Sequence, residues 1–201
     1  LAEGGASGHE FGKSGDGCDD VVAIGAPGEG SGTVRVLHQN GGGQDNWGEV
    51  TTLSIPESEM PADGDRFGES VSVFKGVGDG EKYIAVGAPE HGDNGAVFIF
   101  RRDQGGKDNW GYLQTLNVDE MIPAEAGESD GPREESGHGG AGVGTCVVGE
   151  THDGHTRVGM GAPHAGVGLV FMFLLVGGLF QFHQLIEKPA GFGPSIGDLF
   201  G

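Results

Sequence analysis

The stretch YIAVGAPEHGDNGAVFIF, Tyr83 to Phe100, decides the fold. It opens on an apolar, β-prone run, breaks at Gly87-Ala88-Pro89, turns through a Gly/Asp/Asn tip and resumes as a second apolar run from Gly95. Two such runs around a turn read as adjacent antiparallel strands. Aligning the chain with itself finds the unit twice more. VVAIGAP (Val21 to Pro27) and RVGMGAP (Arg157 to Pro163) match the first run, and GTVRVL from Gly32 and GLVFMF from Gly168 match the second. Downstream, QDNWGEVTTL and KDNWGYLQTL match each other, with GLFQFHQLI as a degenerate third copy. A period of 62 to 74 residues holding several short β runs is the signature of a radially repeated, blade-like architecture.

Each copy reads as four strands, A to D. Strand A is FGESVSVF (Phe67 to Phe74) in the second copy and AGVGTCVV (Ala141 to Val148) in the third. Strand B ends in Gly-Ala-Pro and stays apolar as if covered on both faces. Strand C follows the glycine, and strand D closes on YLQTL. Helical periodicity is absent. The expected fold is all-β, with β-propeller-like blades of four antiparallel strands, three repeats plus one extra strand. The repeats span 1–62, 63–136 (with an acidic loop at 117–136) and 137–191. Residues 192–201 are strand A of a fourth repeat or a donor strand. The first repeat has 13 positions from Gly12 to Gly25, against 19 from Gly68 to Gly87 and from Gly142 to Gly161. Its strand A is therefore expected to be nearly missing.

Composition agrees with many turns. The 201 residues include 44 glycines without collagen's strict spacing, which implies tight turns and close backbone approaches. Thirty acidic against eleven basic residues give a net charge of -19, which disfavours nucleic acid and anionic membrane surfaces. Cations are the natural small partners. The apolar run from Val167 to Phe180 is too short and glycine-interrupted to span a bilayer as a helix. Cys18 and Cys146 form either one bridge or two thiols. Leu1 opens the chain with neither Met nor a signal pattern, as expected of a mature, processed or fragmentary chain.

The order Phe-Gly, Asp-Gly turn, Gly-Ala-Pro and Gly-Ala-Val strand is complete in the second copy, at Phe67, Gly68, Gly87, Ala88 and Pro89. It returns at Phe11, Gly12, Gly25, Ala26 and Pro27, and at Gly161, Ala162 and Pro163, where Ala141 stands for the Phe. Over roughly residues 11–200 the chain resembles the FG-GAP repeat of integrin α-chain β-propellers and related cell-surface and secreted proteins. The resemblance implies an extracellular or cell-surface location, a role in cell adhesion and Ca²⁺ in the A to B loops. Physically, Gly87 lets backbones approach, Pro89 ends a strand where no ladder donor is wanted, and Phe67 plugs the space between blades.

A Ca²⁺ loop needs several oxygens converging from one short segment. Here only its Asp-Gly centre survives, so Asp16, Asp20, Asp79 and Asp153 are the candidate ligands. Lys75 and Arg157 stand where further ligands belong, and a plain hairpin turn explains Asp-Gly equally. His152, Asp153 and His155 form a metal-like cluster of a kind that chance also produces. No nucleophile elbow, phosphate loop or zinc-protease motif is present, so a non-enzymatic protein is expected. The chain has no Asn-x-Ser/Thr sequon, so a glycoprotein would carry O-linked sugar.

Function is expected where repetition fails. Where the second copy has RRDQGGKDNW, the third has LLVGGLF, so Leu174, Leu175, Val176, Leu179 and Phe180 are expected at an interface. The fourth copy begins with FGPSIGDLFG, offering Phe192, Ile196, Leu199 and Phe200. Propellers close with about four to eight blades, so three form no ring. The expectation is an extracellular structural or adhesion protein that self-associates, as a closed oligomer or head-to-tail filament, through strand complementation and the apolar hairpin. Other extracellular proteins or glycans are further partners. The alternative is part of a larger integrin-like ligand-binding propeller, or an accessory propeller of a secreted hydrolase.

Overall fold

The computed structural model describes residues 8–78, 80–118, 140–165 and 168–187. The fold is all-β: three four-stranded antiparallel sheets, each a simple up-and-down meander. The first holds β1 (Gly15–Cys18), β2 (Val21–Ala26), β3 (Thr33–Gln39) and β4 (Trp47–Leu53). The second holds β5 (Ser70–Lys75), β6 (Lys82–Ala88), β7 (Ala96–Arg102) and β8 (Trp110–Leu116). The third holds β9 (Cys146–His152), β10 (His155–Ala162), β11 (Leu169–Val176) and β12 (Leu179–Glu187). A single 3₁₀ turn, Glu57–Glu59, is the only helical element among the described residues.

The blades sit side by side with β1 against β5 and β5 against β9, and they do not close into a ring. Strand composition explains the layering. All seven residues of β6 are buried, because the middle blade is covered on both faces. In β2 and β3 burial alternates, because only one face of the first blade is covered. Two cores result, one between the first and second blades around Phe67, Phe98 and Val36, the other between the second and third around Tyr83, Ile99 and Phe171.

The repeat extends to a defect. Each C to D pairing carries a β-bulge at the same place: between Val36 and Leu37, Ile99 and Phe100, and Met172 and Phe173. An extra residue there bends and twists strand D. Each D strand is preceded by a turn; in the first two, Asn40 and Asp103 accept the backbone N–H of Asp45 and Asp108 at 2.7 and 2.6 Å.

Two expectations need correction. The first blade does have its strand A, since β1 pairs along its four residues with β2, from Gly15 opposite Ile24 to Cys18 opposite Val21. It has four residues against six in β5 and seven in β9, a shortening in keeping with the short Gly12 to Gly25 spacing, and a two-residue turn at Asp19 and Asp20 joins it to β2. A donor strand therefore has no vacant place beside β2. In the third blade the Phe-Gly position is Val143-Gly144, not Ala141-Gly142. Gly12, Gly68 and Gly144 share φ values of 89°, 94° and 88°, and each donates its N–H to the Gly-Ala-Pro glycine carbonyl of its own blade. Cys18 and Cys146 are free thiols in different blades. No described helix is long and apolar enough to cross a membrane.

Candidate functional site

The chain's repeated construction is a joint between blades, and the candidate site is that joint and the faces where it is left unmade. At the inner edge the joint is backbone against backbone. A Cβ on Gly25 would strike the Gly68 carbonyl, and one on Gly87 would strike the Gly144 carbonyl. The Gly-Ala-Pro glycine of one blade thus rests on the Phe-Gly glycine of the next, and only glycine allows that approach. Ser14 and Ser70 donate their hydroxyls to those same two carbonyls, both at 2.7 Å. Phe67 and Val143 donate their N–H to Ser31 and Asn94 of the preceding blade at 2.9 and 2.8 Å. Asp16 accepts the Val73 N–H at 2.8 Å, and Ser72 Oγ accepts that of Gly149 at 3.0 Å, in the corresponding place one joint later.

At the outer edge side chains carry the joint. Trp110 buries its ring on the first blade and donates Nε1–H to His38 Nε2 at 3.0 Å, which puts the ring proton on Nδ1. Burial, first, and then the nearby Arg102 charge push the His38 pKa down, so the ring is neutral in its role as acceptor. Phe180 takes the corresponding place in the third blade. It packs edge-on against Phe74 and Tyr83 at 6.2 and 5.6 Å, and Gln114 brackets its backbone with two hydrogen bonds. Beside Trp110, Lys82 and Arg102 of the second blade grip Asp20 of the first. Burial raises the Asp20 pKa, but hydrogen bonds from Lys82 and Arg102 outweigh it and hold the carboxyl down at about 2.

These placements decide the candidate residues. The Gly-Ala-Pro and Phe-Gly residues at Gly25, Gly68 and Gly87 are joint contacts, as the sequence implies. Asp16 and Asp20 spend their carboxylates across the joint, and neither converges with Asp153, whose left-handed φ of 48° forms the tight β9 to β10 turn. Asp79 lies outside the described residues. His152 Nε2 meets the Asp153 carboxylate at 3.2 Å, while His155 turns to the Asp153 carbonyl. No group of three or more His, Cys, Asp or Glu side chains suited to a metal ion occurs among the described residues. Of the apolar hairpin, Val176 and Leu179 are exposed at its Gly177-Gly178 tip and Leu174 is half-buried. Phe180 is instead buried between blades, and Leu175 packs on the same core, because this side of the hairpin replaces Trp110 as the outer plug. Phe192, Ile196, Leu199 and Phe200 lie outside the described residues, as does nearly all of 117–136.

Two faces carry joint residues that no other described residue covers. On the first blade, Phe11 is 62% and Trp47 45% exposed, whereas their counterparts Phe67 and Trp110 are 0% and 7% exposed. Val22, Ile24 and Leu37 lie half-buried on that face. On the third blade, Val170, Met172 and Ile186 occupy the places where the second blade buries Val97, Ile99 and Leu116, yet Ile186 is 38% exposed and the other two are half-buried. Cys146 stands there in the place of Ser14 and Ser70, exposed.

Sequence reasoning missed one further feature, a cleft of about 270 Å³ lined by Arg66, Glu69, Pro89, Glu90, Gly142, Thr145 and His164. Four separate segments of the chain build it, so no local motif announces it. Its Arg66 guanidinium pairs with Glu69 and Glu10 at 2.6 and 3.0 Å. Compared with known proteins, the chain matches no family model and no curated protein.

Proposed function

We propose that the chain is a non-enzymatic, extracellular structural or adhesion protein whose FG-GAP-like blades associate with further blades. The observation that carries this is the exposure of Phe11 and Trp47 in positions that the two internal joints bury. An aromatic pair left in water beside a ready-made packing surface is an interaction site. The extracellular placement follows from the FG-GAP resemblance. Light scattering over micromolar to hundred-micromolar concentrations tests the proposal. The mass is expected to rise above that of one chain, and a single-chain mass throughout would overturn it.

A second role, as part of a ligand-binding propeller, is favoured by the cleft at Arg66, which lies at the Gly-Ala-Pro end of the second and third blades and mixes acidic and basic groups. Its test is binding to extracellular proteins or glycans with Ca²⁺ present and after chelation. Loss of binding on Arg66→Ala is expected, and unchanged binding would exclude the cleft.

A further inference from the structure

We infer that the joint between the first two blades is closed by an acid-sensitive latch: protonation of His38 releases Trp110 and parts the blades at their outer edge while the inner edge stays shut. The contact has the chemistry of a switch. Trp110 Nε1–H can only donate, and His38 Nε2 receives it at 3.0 Å, each residue being 7% exposed. A second ring proton turns that nitrogen into a donor as well. Two N–H groups then meet head-on in a buried contact, which neither can satisfy.

The surrounding charges favour release over protonation in place. Four of them act on His38: Arg102 of β7, Lys82 of β6, Asp20 of the β1 to β2 turn and Asp108 of the β7 to β8 turn. While the joint is shut the two cations occupy the two carboxylates, Lys82 and Arg102 on Asp20, and Arg102 on Asp108 at 2.7 Å. Burial, first, and then Arg102 keep the His38 pKa below its ordinary 6.5. Parting the blades returns the ring to water, where it takes the proton at the ordinary value. The open form thus binds a proton that the closed form refuses, and its share grows as pH falls below about 6.5. The carboxylates do not change charge in that range. Burial of Asp20 is outweighed by hydrogen bonds from Lys82 and Arg102, which hold it at about 2, and the bond from Arg102 lowers Asp108.

The rest of this joint gives no reason to open. Phe67 packs on Phe98 and Phe100, its N–H reaches the Ser31 carbonyl and the Ser14 hydroxyl reaches that of Gly68, all groups without a titration near neutrality. Strand β8 keeps its own ladder on β7, from Trp110 opposite Arg102 to Leu116 opposite Val97. A freed tryptophan is compatible with such a ladder: Trp47, at the same place in the first blade, is 45% exposed, and β4 still pairs with β3 from Gln39 to Val34. The second joint lacks the latch. Its plug Phe180 meets Phe74, Tyr83 and Gln114, none of which changes charge between about pH 5 and 8. At the place of His38 the second blade has Arg101 and the third Leu174. Opening requires no second copy of the chain.

The test reads Trp110 alone. Trp47→Phe leaves it as the one remaining of the chain's two tryptophans. From about pH 8 to about pH 5, quenching of its fluorescence by acrylamide is expected to rise severalfold and its emission to move to longer wavelength, reversibly and with the far-UV spectrum constant. His38→Gln in the same background, an acceptor that takes no proton, is expected to hold quenching at its pH 8 level throughout. A second measurement uses the unaltered chain: the Trp110 indole N–H proton resonance is expected to move upfield over the same pH range as its acceptor is lost. Quenching and resonance that ignore pH would overturn the latch. Loss of the far-UV signal together with the rise in quenching would replace it by unfolding of the whole chain. A response that survives His38→Gln would assign the effect to another group, such as His91 on Asp65, and overturn the role of His38.

Discussion

At the level of single residues, the joint depends on atoms that are not there. Gly87→Ala places a methyl group against the Gly144 carbonyl and the Ser70 hydroxyl, and the Gly144 contact, being backbone, leaves little room to yield. The expected cost is about 1–3 kcal/mol, read as a shift in the denaturant midpoint. His38 gives the joint a pH dependence. Its native pKa lies below the ordinary value of 6.5, so the unfolded chain takes up a proton that the native chain refuses, and stability falls as pH drops below about 6.5. Thermal midpoints measured from pH 8 to pH 5 are expected to decline, and His38→Gln, which keeps an acceptor for Trp110, is expected to flatten the decline. Asp20 acts at lower pH. With a native pKa of about 2 against 3.8, its contribution is complete above pH 3.8 and is lost as pH falls towards 2.

At the level of strands and blades, Phe67 is the plug between the first two blades, fully buried and edge-on to Phe98 and Phe100 at 5.6 and 6.0 Å. Phe67→Ala is expected to cost about 3–5 kcal/mol by urea unfolding. Both Phe-Gly pairs and all three Gly-Ala-Pro turns were legible in the sequence, because each has a backbone role that admits few residue types. The third Phe-Gly position was not legible: its Phe is replaced by Val143, and Gly140, Gly142 and Gly144 all compete in that stretch, so only φ and the Gly144 to Gly161 hydrogen bond fix the register. β1 was hidden for a different reason. Gly15 to Cys18 carries almost no apolar side chain, and it is a strand only because β2 and β5 lie beside it. The partners of Asp16 were illegible too, since a carboxylate reaching the next blade's Val73 N–H leaves no local pattern.

At the level of the whole molecule, the blades form a series in which the middle one is the most protected. Hydrogen exchange is expected to be slowest for β6, wholly buried, and fastest for β1 and β12, whose residues are mostly exposed. Equal rates in β6 and β12 would contradict the layered order. The net charge of -19 opposes any meeting of two copies, so self-association is expected to tighten as NaCl rises from 0.05 to about 0.5 M. The glycine-on-glycine contact between blades has a geometric consequence. It acts as a fulcrum of constant height at the inner edge, while the outer edge is held by exchangeable side chains, Trp110 on His38 in one joint and Phe180 on Tyr83 in the next. Thicker or thinner outer plugs would tilt one blade against its neighbour about that fulcrum. Curvature, and so the number of blades per turn, can change without any alteration to the repeated motif itself.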